Sequence, residues 1–116
     1  FSGNPKKALD WLLEIEELGA GEILLNSVSR DGMKTGYDIS FLEKAASVVQ
    51  IPIIACGGAG SWEHLEEVLS ETNVDAVAAA NIFHFQDQSV FLARKHLHSK
   101  GLLVRPPSIR KRSRLN

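Results

Sequence analysis

The residues best placed to do chemistry lie at the end of the apolar run Ile51–Cys56. This run is followed directly by Gly57-Gly-Ala-Gly60, and a helical pattern begins at Ser61. Because glycine lacks a Cβ, a phosphate can approach the backbone N–H groups of such a turn, and a following helix adds partial positive charge. The pattern predicts an anion-binding turn at Gly57 and Gly58. The alternative is a tight strand-to-helix connection without a ligand.

A second apolar run, residues 75–80, ends at Ala80 and is followed by Asn81-Ile82. Loops that follow neighbouring strands of a βα barrel meet at one end and often form a phosphate site. Ala80 and Asn81 therefore join the predicted anion site, although small residues at a strand end can also simply fit a crowded interior. The polar loop between the first two strands carries Asp31 and Gly32, which indicates either a functional lid or a solvated turn.

The cysteine and histidine residues do not indicate a metal site or a cofactor. Cys56 is the single cysteine, which excludes an internal disulfide and fits a reducing cytoplasm. No acid or histidine is placed by the sequence to activate its thiol. His64 is predicted to lie on the surface of a helix, and His84 to be packed or hydrogen-bonded. The spacing of the histidines does not fit zinc.

The elements that position these residues alternate between helices and strands. Apolar periodicity and capping residues predict four helices and three strands. The helices run from Asn4-Pro5 to Gly19, from the capping box Ser40–Glu43, from Ser61, and from Asp87 to Gly101. The strands cover residues 21–25, 51–56 and 75–80. This order implies parallel strands joined by helical crossovers. The predicted fold class is α/β, specifically half of a βα barrel.

The length and charge of the chain limit its possible partners and the number of its domains. The chain has 116 residues and a formal net charge of −1, so no overall field draws it to nucleic acid or to a membrane surface. No apolar run approaches transmembrane length. Arginine and lysine crowd the segment after Pro106-Pro107. We therefore predict a folded domain over residues 1–105 and a flexible, basic tail over residues 106–116.

Together the motifs resemble the cyclase subunit of imidazole glycerol phosphate synthase. The segments that match this family occur in its order and with its spacing. They are Gly19-Ala-Gly-Glu-Ile-Leu-Leu25, Arg30-Asp-Gly32, Gly36-Tyr-Asp38, Pro52-Ile-Ile-Ala55, Gly57-Gly-Ala-Gly60, Glu63-His64 and Ile82-Phe-His84. The family fold is a (βα)8 barrel built from two similar half-barrels. The resemblance implies that residues 1–105 form the C-terminal half-barrel, with helix five followed by three βα units that contain strands six to eight.

The resemblance also implies a function. Cyclases of this family add ammonia from a glutaminase partner to a phosphorylated ribotide and close an imidazole ring, so the expected pathway is histidine biosynthesis in the cytoplasm. One substrate phosphate is expected at Asp31-Gly32, Gly57-Gly58 and Ala80-Asn81, with Asn26 and Cys56 lining the cavity. The two catalytic aspartates of the family lie on strands one and five. No residue of this chain is therefore assigned a catalytic role.

Two alternatives remain at this point. The chain also resembles cyclase paralogues of surface-polysaccharide gene clusters, which are thought to supply ammonia for sugar amidination, at Asn26, Met33, Cys56 and Asn81-Ile82-Phe83. In another class, the chain is a non-catalytic half-barrel that assembles with a missing N-terminal half or with itself. The side chains expected to face the barrel interior, and so to lose the opposite wall of the core, are Ile23, Leu25, Ile53, Ala55 and Val77.

Overall fold

A computed structural model describes residues 5–80, 82 and 90–107 of the chain. The helices and strands alternate as predicted: α1 (Pro5–Glu17), β1 (Ile23–Asn26), α2 (Ile39–Val48), β2 (Ile53–Cys56), α3 (Trp62–Glu71), β3 (Ala76–Ala78) and α4 (Val90–Ser99). The predicted caps at Asn4 and Asp87 lie outside the described residues, as do His84 and most of the predicted tail.

The three strands form one parallel sheet in the order β1-β2-β3. The register pairs Asn26 with Cys56 and Cys56 with Ala78, so the carboxyl ends of the strands lie level with one another. A helix follows each strand, and α1 precedes the first. This arrangement confirms the prediction of an α/β half-barrel in which one helix is followed by three βα units.

Helix boundaries follow the predicted signals at α1 but not at α2. At the end of α1, the N–H of Gly19 donates to the carbonyl of Glu16 at 3.0 Å, and the N–H of Ala20 donates to the carbonyl of Ile15 at 3.2 Å. The capping box predicted at Ser40 is wrong. The helix begins two residues earlier, because the Asp38 carboxylate accepts the N–H of Phe41 at 3.3 Å and serves as the N-cap.

The core lies between the sheet and the helices. Its buried members include Leu12, Ile23, Leu42, Ala45, Ile53, Ala55, Leu65 and Val68, with Leu25 and Val77 packed against them. The prediction that Ile23, Leu25, Ile53, Ala55 and Val77 face the barrel interior is therefore wrong. Side chains alternate along a strand, so a shift of one residue exchanges the two faces of the sheet.

The opposite face of the sheet is the interior face of the half-barrel, and its side chains are more exposed to solvent than those that face the helices. Leu24 on this face is 63% exposed, and Ile54 beside it is half-buried. Asn26 and Cys56 are two residues further along the same strands, so they share this face with Leu24 and Ile54. Within the described ranges, no helix has the length and apolar character needed to cross a membrane.

Candidate functional site

An open pocket lies at the carboxyl ends of the strands. Its volume, including the part open to solvent, is about 220 Å³, and its lining residues are Asp31, Gly32, Cys56, Gly57, Gly58, Ala59, Ala79 and Ala80. These include five of the six residues predicted to bind phosphate. The sixth, Asn81, lies outside the described residues. Two loops and one strand end that are distant in the sequence are thus brought to one place.

The glycines of the turn after β2 are required by the packing of neighbouring backbone. Gly57 and Gly58 have φ angles of 93° and 115°, which side chains rarely adopt. A Cβ on Gly58 would overlap the carbonyl oxygen of Gly36, and one on Gly57 would lie 2.7 Å from Asn26 Oδ1. The number of glycines is therefore explained without a ligand. What supports an anion site is the position of the turn, between the strand ends and the start of α3.

The loop between β1 and α2, residues 27–38, packs directly on this glycine turn. The N–H of Gly36 donates to the carbonyl of Gly58 at 2.8 Å. The Arg30 guanidinium donates to the carbonyls of Gly36 and Tyr37, both at 3.4 Å. The loop is thus held by backbone contacts, and Asp31 and Gly32 are brought to the pocket by its course.

Tyr37 connects the same loop to the third strand. Its hydroxyl donates to the carbonyl of Ala78 at 2.8 Å, and the side chain is only 4% exposed. Burial raises the pKa of Tyr37 well above its ordinary value, and negative charge on the neighbouring Cys56 sulfur raises it further. Reasoning from individual residues did not single out Tyr37. The sequence pointed to Tyr37 only through the segment Gly36-Tyr-Asp38, which is part of the family resemblance.

His64 does not lie freely on the surface of α3 as predicted. Its ring is half-buried, and Nδ1 accepts the N–H of Gly60 at 2.9 Å. The ring also lies 3.4 Å from the point where a Cβ on Gly36 would stand. His64 follows Gly60 by four residues at the start of a helix, and this spacing in the sequence indicates that its side chain can reach the Gly60 N–H.

The other predicted residues lie around the pocket without forming a metal site. Asn26 ends β1 beside Cys56, a free and half-buried thiol. At the start of α3, the backbone N–H of the first turn lowers the pKa of the exposed Glu63 carboxyl, and the Ser61 hydroxyl lowers it further. Among the residues that the structure describes, no three His, Cys, Asp or Glu side chains cluster closely enough to hold a metal ion.

A family model described as "Histidine biosynthesis protein" matches residues 3–89, which is most of the chain. The chain belongs to this family. Among curated relatives, it is 50% identical over 99 residues to the imidazole glycerol phosphate synthase subunit HisF of Chlorobium phaeovibrioides and to that of Chlorobium chlorochromatii. It is 48% identical over 99 residues to the same subunit of Pelodictyon phaeoclathratiforme.

In each of these alignments the match covers 85% of this chain but 39% of the relative. The chain thus spans well under half the length of the relatives it matches. The match to the histidine biosynthesis family is consistent with the architecture of the chain, a partial half-barrel of three parallel strands. All the residues that line the pocket lie within the matched residues 3–89.

Proposed function

We propose that this chain forms the C-terminal, phosphate-binding part of a cyclase of imidazole glycerol phosphate synthase in histidine biosynthesis. The observation that carries the proposal is the pocket formed by the glycine turn, Asp31-Gly32 and Ala79-Ala80 at the carboxyl ends of parallel strands. In βα barrels this end holds the active site, and the loops after the last strands often hold a phosphate. The identity of about half the aligned residues to synthase subunits supports the same function.

The proposed substrate is a phosphorylated ribotide, and one of its phosphates would lie against Gly57, Gly58 and the start of α3. Backbone N–H groups and the positive end of the helix dipole would stabilise its charge. Gly32, Ala80 and Asn81 would complete the enclosure, with Asp31 at its rim. Asn26 and Cys56, on the interior face of the sheet, would line the cavity beyond the phosphate.

Ring closure itself needs groups beyond this chain. A glutaminase subunit would supply ammonia, and the part of the relatives that this chain does not span would supply the proton-transferring carboxylates. The names of the relatives favour a cyclase of histidine biosynthesis over the alternative hypothesis, a paralogue that supplies ammonia for sugar amidination. Within the proposal, residues 1–105 form the barrel segment and residues 106–116 form a separate basic tail.

A titration with inorganic phosphate tests the site. We expect the amide resonances of Gly57 and Gly58 to shift saturably, because the anion would contact this turn. Ala80→Asp adds a negative charge at an exposed position of the pocket, and it should weaken binding at least about tenfold. The matched control is Ser70→Asp, which adds the same charge at the exposed far end of α3 and should leave binding within about twofold.

Two results would count against the proposal. One is a chain that shows no saturable shift at these glycines at any phosphate concentration. The other is an equal loss of binding in both aspartate variants, because that would indicate a nonspecific effect of net charge rather than a site at the strand ends.

A further inference from the structure

We propose that His64 is a positioning residue for the pocket, and that its imidazole holds the loop of residues 27–38 on the glycine turn. The effect on phosphate affinity rests on the proposed function. The effect on the loop itself does not, since it can be measured without any ligand.

The geometry places the His64 ring between two backbone segments. Helix α3 presents His64 one turn after the glycine turn, where Nδ1 accepts the N–H of Gly60 at 2.9 Å. The other side of the ring lies against Gly36, with Cδ2 and Nε2 3.4 and 3.5 Å from the position of a Cβ on that residue. One side chain is therefore hydrogen-bonded to the turn and lies beside the loop at Gly36.

These two segments are also joined directly, so the ring supports an existing contact. The N–H of Gly36 donates to the carbonyl of Gly58 at 2.8 Å, and Gly60 packs closely on the backbone of Lys34. Asp31 and Gly32, a few residues earlier in the loop, line the pocket. If the ring is removed, the Gly60 N–H loses its acceptor and Gly36 loses its neighbour. The loop is then held less firmly on the turn, by the remaining backbone contacts alone.

The contact needs an acceptor at a defined atom. Only a ring nitrogen without a proton can accept, so Nδ1 must be unprotonated and a neutral ring carries its proton on Nε2. Asparagine places an amide oxygen close to the position of Nδ1. Glutamine places its oxygen further out, near the position of Nε2. His64→Asn should therefore preserve the contact with Gly60, whereas His64→Gln and His64→Leu should not.

Hydrogen exchange at the Gly36 N–H, measured without phosphate, reports how firmly the loop is held. His64 does not accept this proton, so a change in its exchange rate reflects loop docking. We expect exchange about tenfold faster in His64→Gln and His64→Leu, the equivalent of one lost hydrogen bond, and within about twofold of the parent in His64→Asn. Inorganic phosphate should bind the first two variants about tenfold more weakly. The control is His98→Asn, at an exposed position of α4.

The outcomes separate the two proposals. Equal exchange rates in His64→Asn and His64→Gln would overturn the positioning role, even if His64→Leu fails to fold. Faster exchange in His64→Gln with unchanged phosphate affinity would overturn the link to the pocket. A parent chain that binds no phosphate but shows the exchange pattern would refute the proposed phosphate site and uphold the role of His64 in holding the loop.

Discussion

At the scale of single residues, the pocket depends on buried side chains that bind backbone groups of other elements. Tyr37 illustrates this, because its hydroxyl reaches from the loop of residues 27–38 to the carbonyl of Ala78. Since Ala79 and Ala80 follow directly, this bond ties the third strand end to the loop that carries Asp31. The pocket lining therefore depends on residues that do not themselves line it.

Replacing Tyr37 with phenylalanine keeps the ring and removes the hydroxyl that donates to the half-buried carbonyl of Ala78. We expect Tyr37→Phe to lower the free energy of unfolding by about 1–2 kcal/mol at neutral pH, measured by urea denaturation at fixed protein concentration. The loss should also depend on pH. The folded pKa of Tyr37 lies above its ordinary value, so its stabilising contribution is complete below about pH 10 and declines as the pH rises further.

The chain has one tyrosine, so this alkaline decline should disappear in Tyr37→Phe, which has no phenol to ionise. The ultraviolet absorbance of tyrosinate gives a second measurement, and in the folded chain it should rise only well above about pH 10. An ordinary titration of Tyr37 in the folded chain would contradict the buried hydrogen bond.

Three alanine substitutions separate the effect of a positive φ angle from the effect of close packing. Gly21→Ala meets no atom within 4 Å at an ordinary φ and should change stability by less than about 0.5 kcal/mol. Gly19→Ala also meets nothing, but its φ of +96° should cost about 1 kcal/mol. Gly58→Ala combines a φ of +115° with overlap on Gly36, and should cost more than about 3 kcal/mol. Similar urea midpoints for Gly19→Ala and Gly58→Ala would refute the close loop contact.

At the scale of elements, Glu16 joins the end of α1 to the segment between α2 and β2. Its Oε2 accepts the N–H groups of Gln50 at 2.6 Å and Ile51 at 3.2 Å. We expect Glu16→Gln to destabilise the chain by about 1 kcal/mol in urea denaturation, because a charged acceptor of two N–H groups becomes a neutral one. Glu17→Gln, at the exposed neighbouring position, is the control and should be nearly neutral. Equal effects would show that only helix charge matters.

The elements also show how far the sequence alone predicts this fold. Apolar periodicity gave the order of helices and strands, because buried strands and amphipathic helices have different repeats. It did not give the faces of the sheet. Leu24 and Leu25 are both apolar, and only the helices packed on Leu25 distinguish them. The contacts of His64 and Tyr37 were also missed, since each joins segments whose proximity follows from the assembled sheet.

At the scale of the whole molecule, the interior face of the sheet is partly open to solvent. Leu24 is 63% exposed there, and among the described residues the outer edges of β1 and β3 have no strand beside them. Open edges and uncovered apolar side chains favour association with another chain. The proposed partners are the part of the barrel that the relatives possess beyond this chain, or a second copy of it.

Sedimentation of the purified chain at micromolar concentration should therefore show self-association. Leu24→Glu should weaken self-association, because it buries a charge in any interface on this face. The control is Leu18→Glu, directly after α1, where the side chain is 78% exposed and lies outside the interior face. A sharp monomer peak with cooperative thermal unfolding and no dye binding to apolar surface would argue decisively against this description.

The most direct test of the account is an assay of ring closure with the ribotide substrate and added ammonia. The chain alone should form no product, because proton transfer by a positioned group contributes about 10²–10⁴-fold and no residue here is assigned that role. Mixing it with the part of the Chlorobium phaeovibrioides relative that this chain does not span should give turnover, and Ala80→Asp should reduce it. Robust product formation by the chain alone would contradict the account.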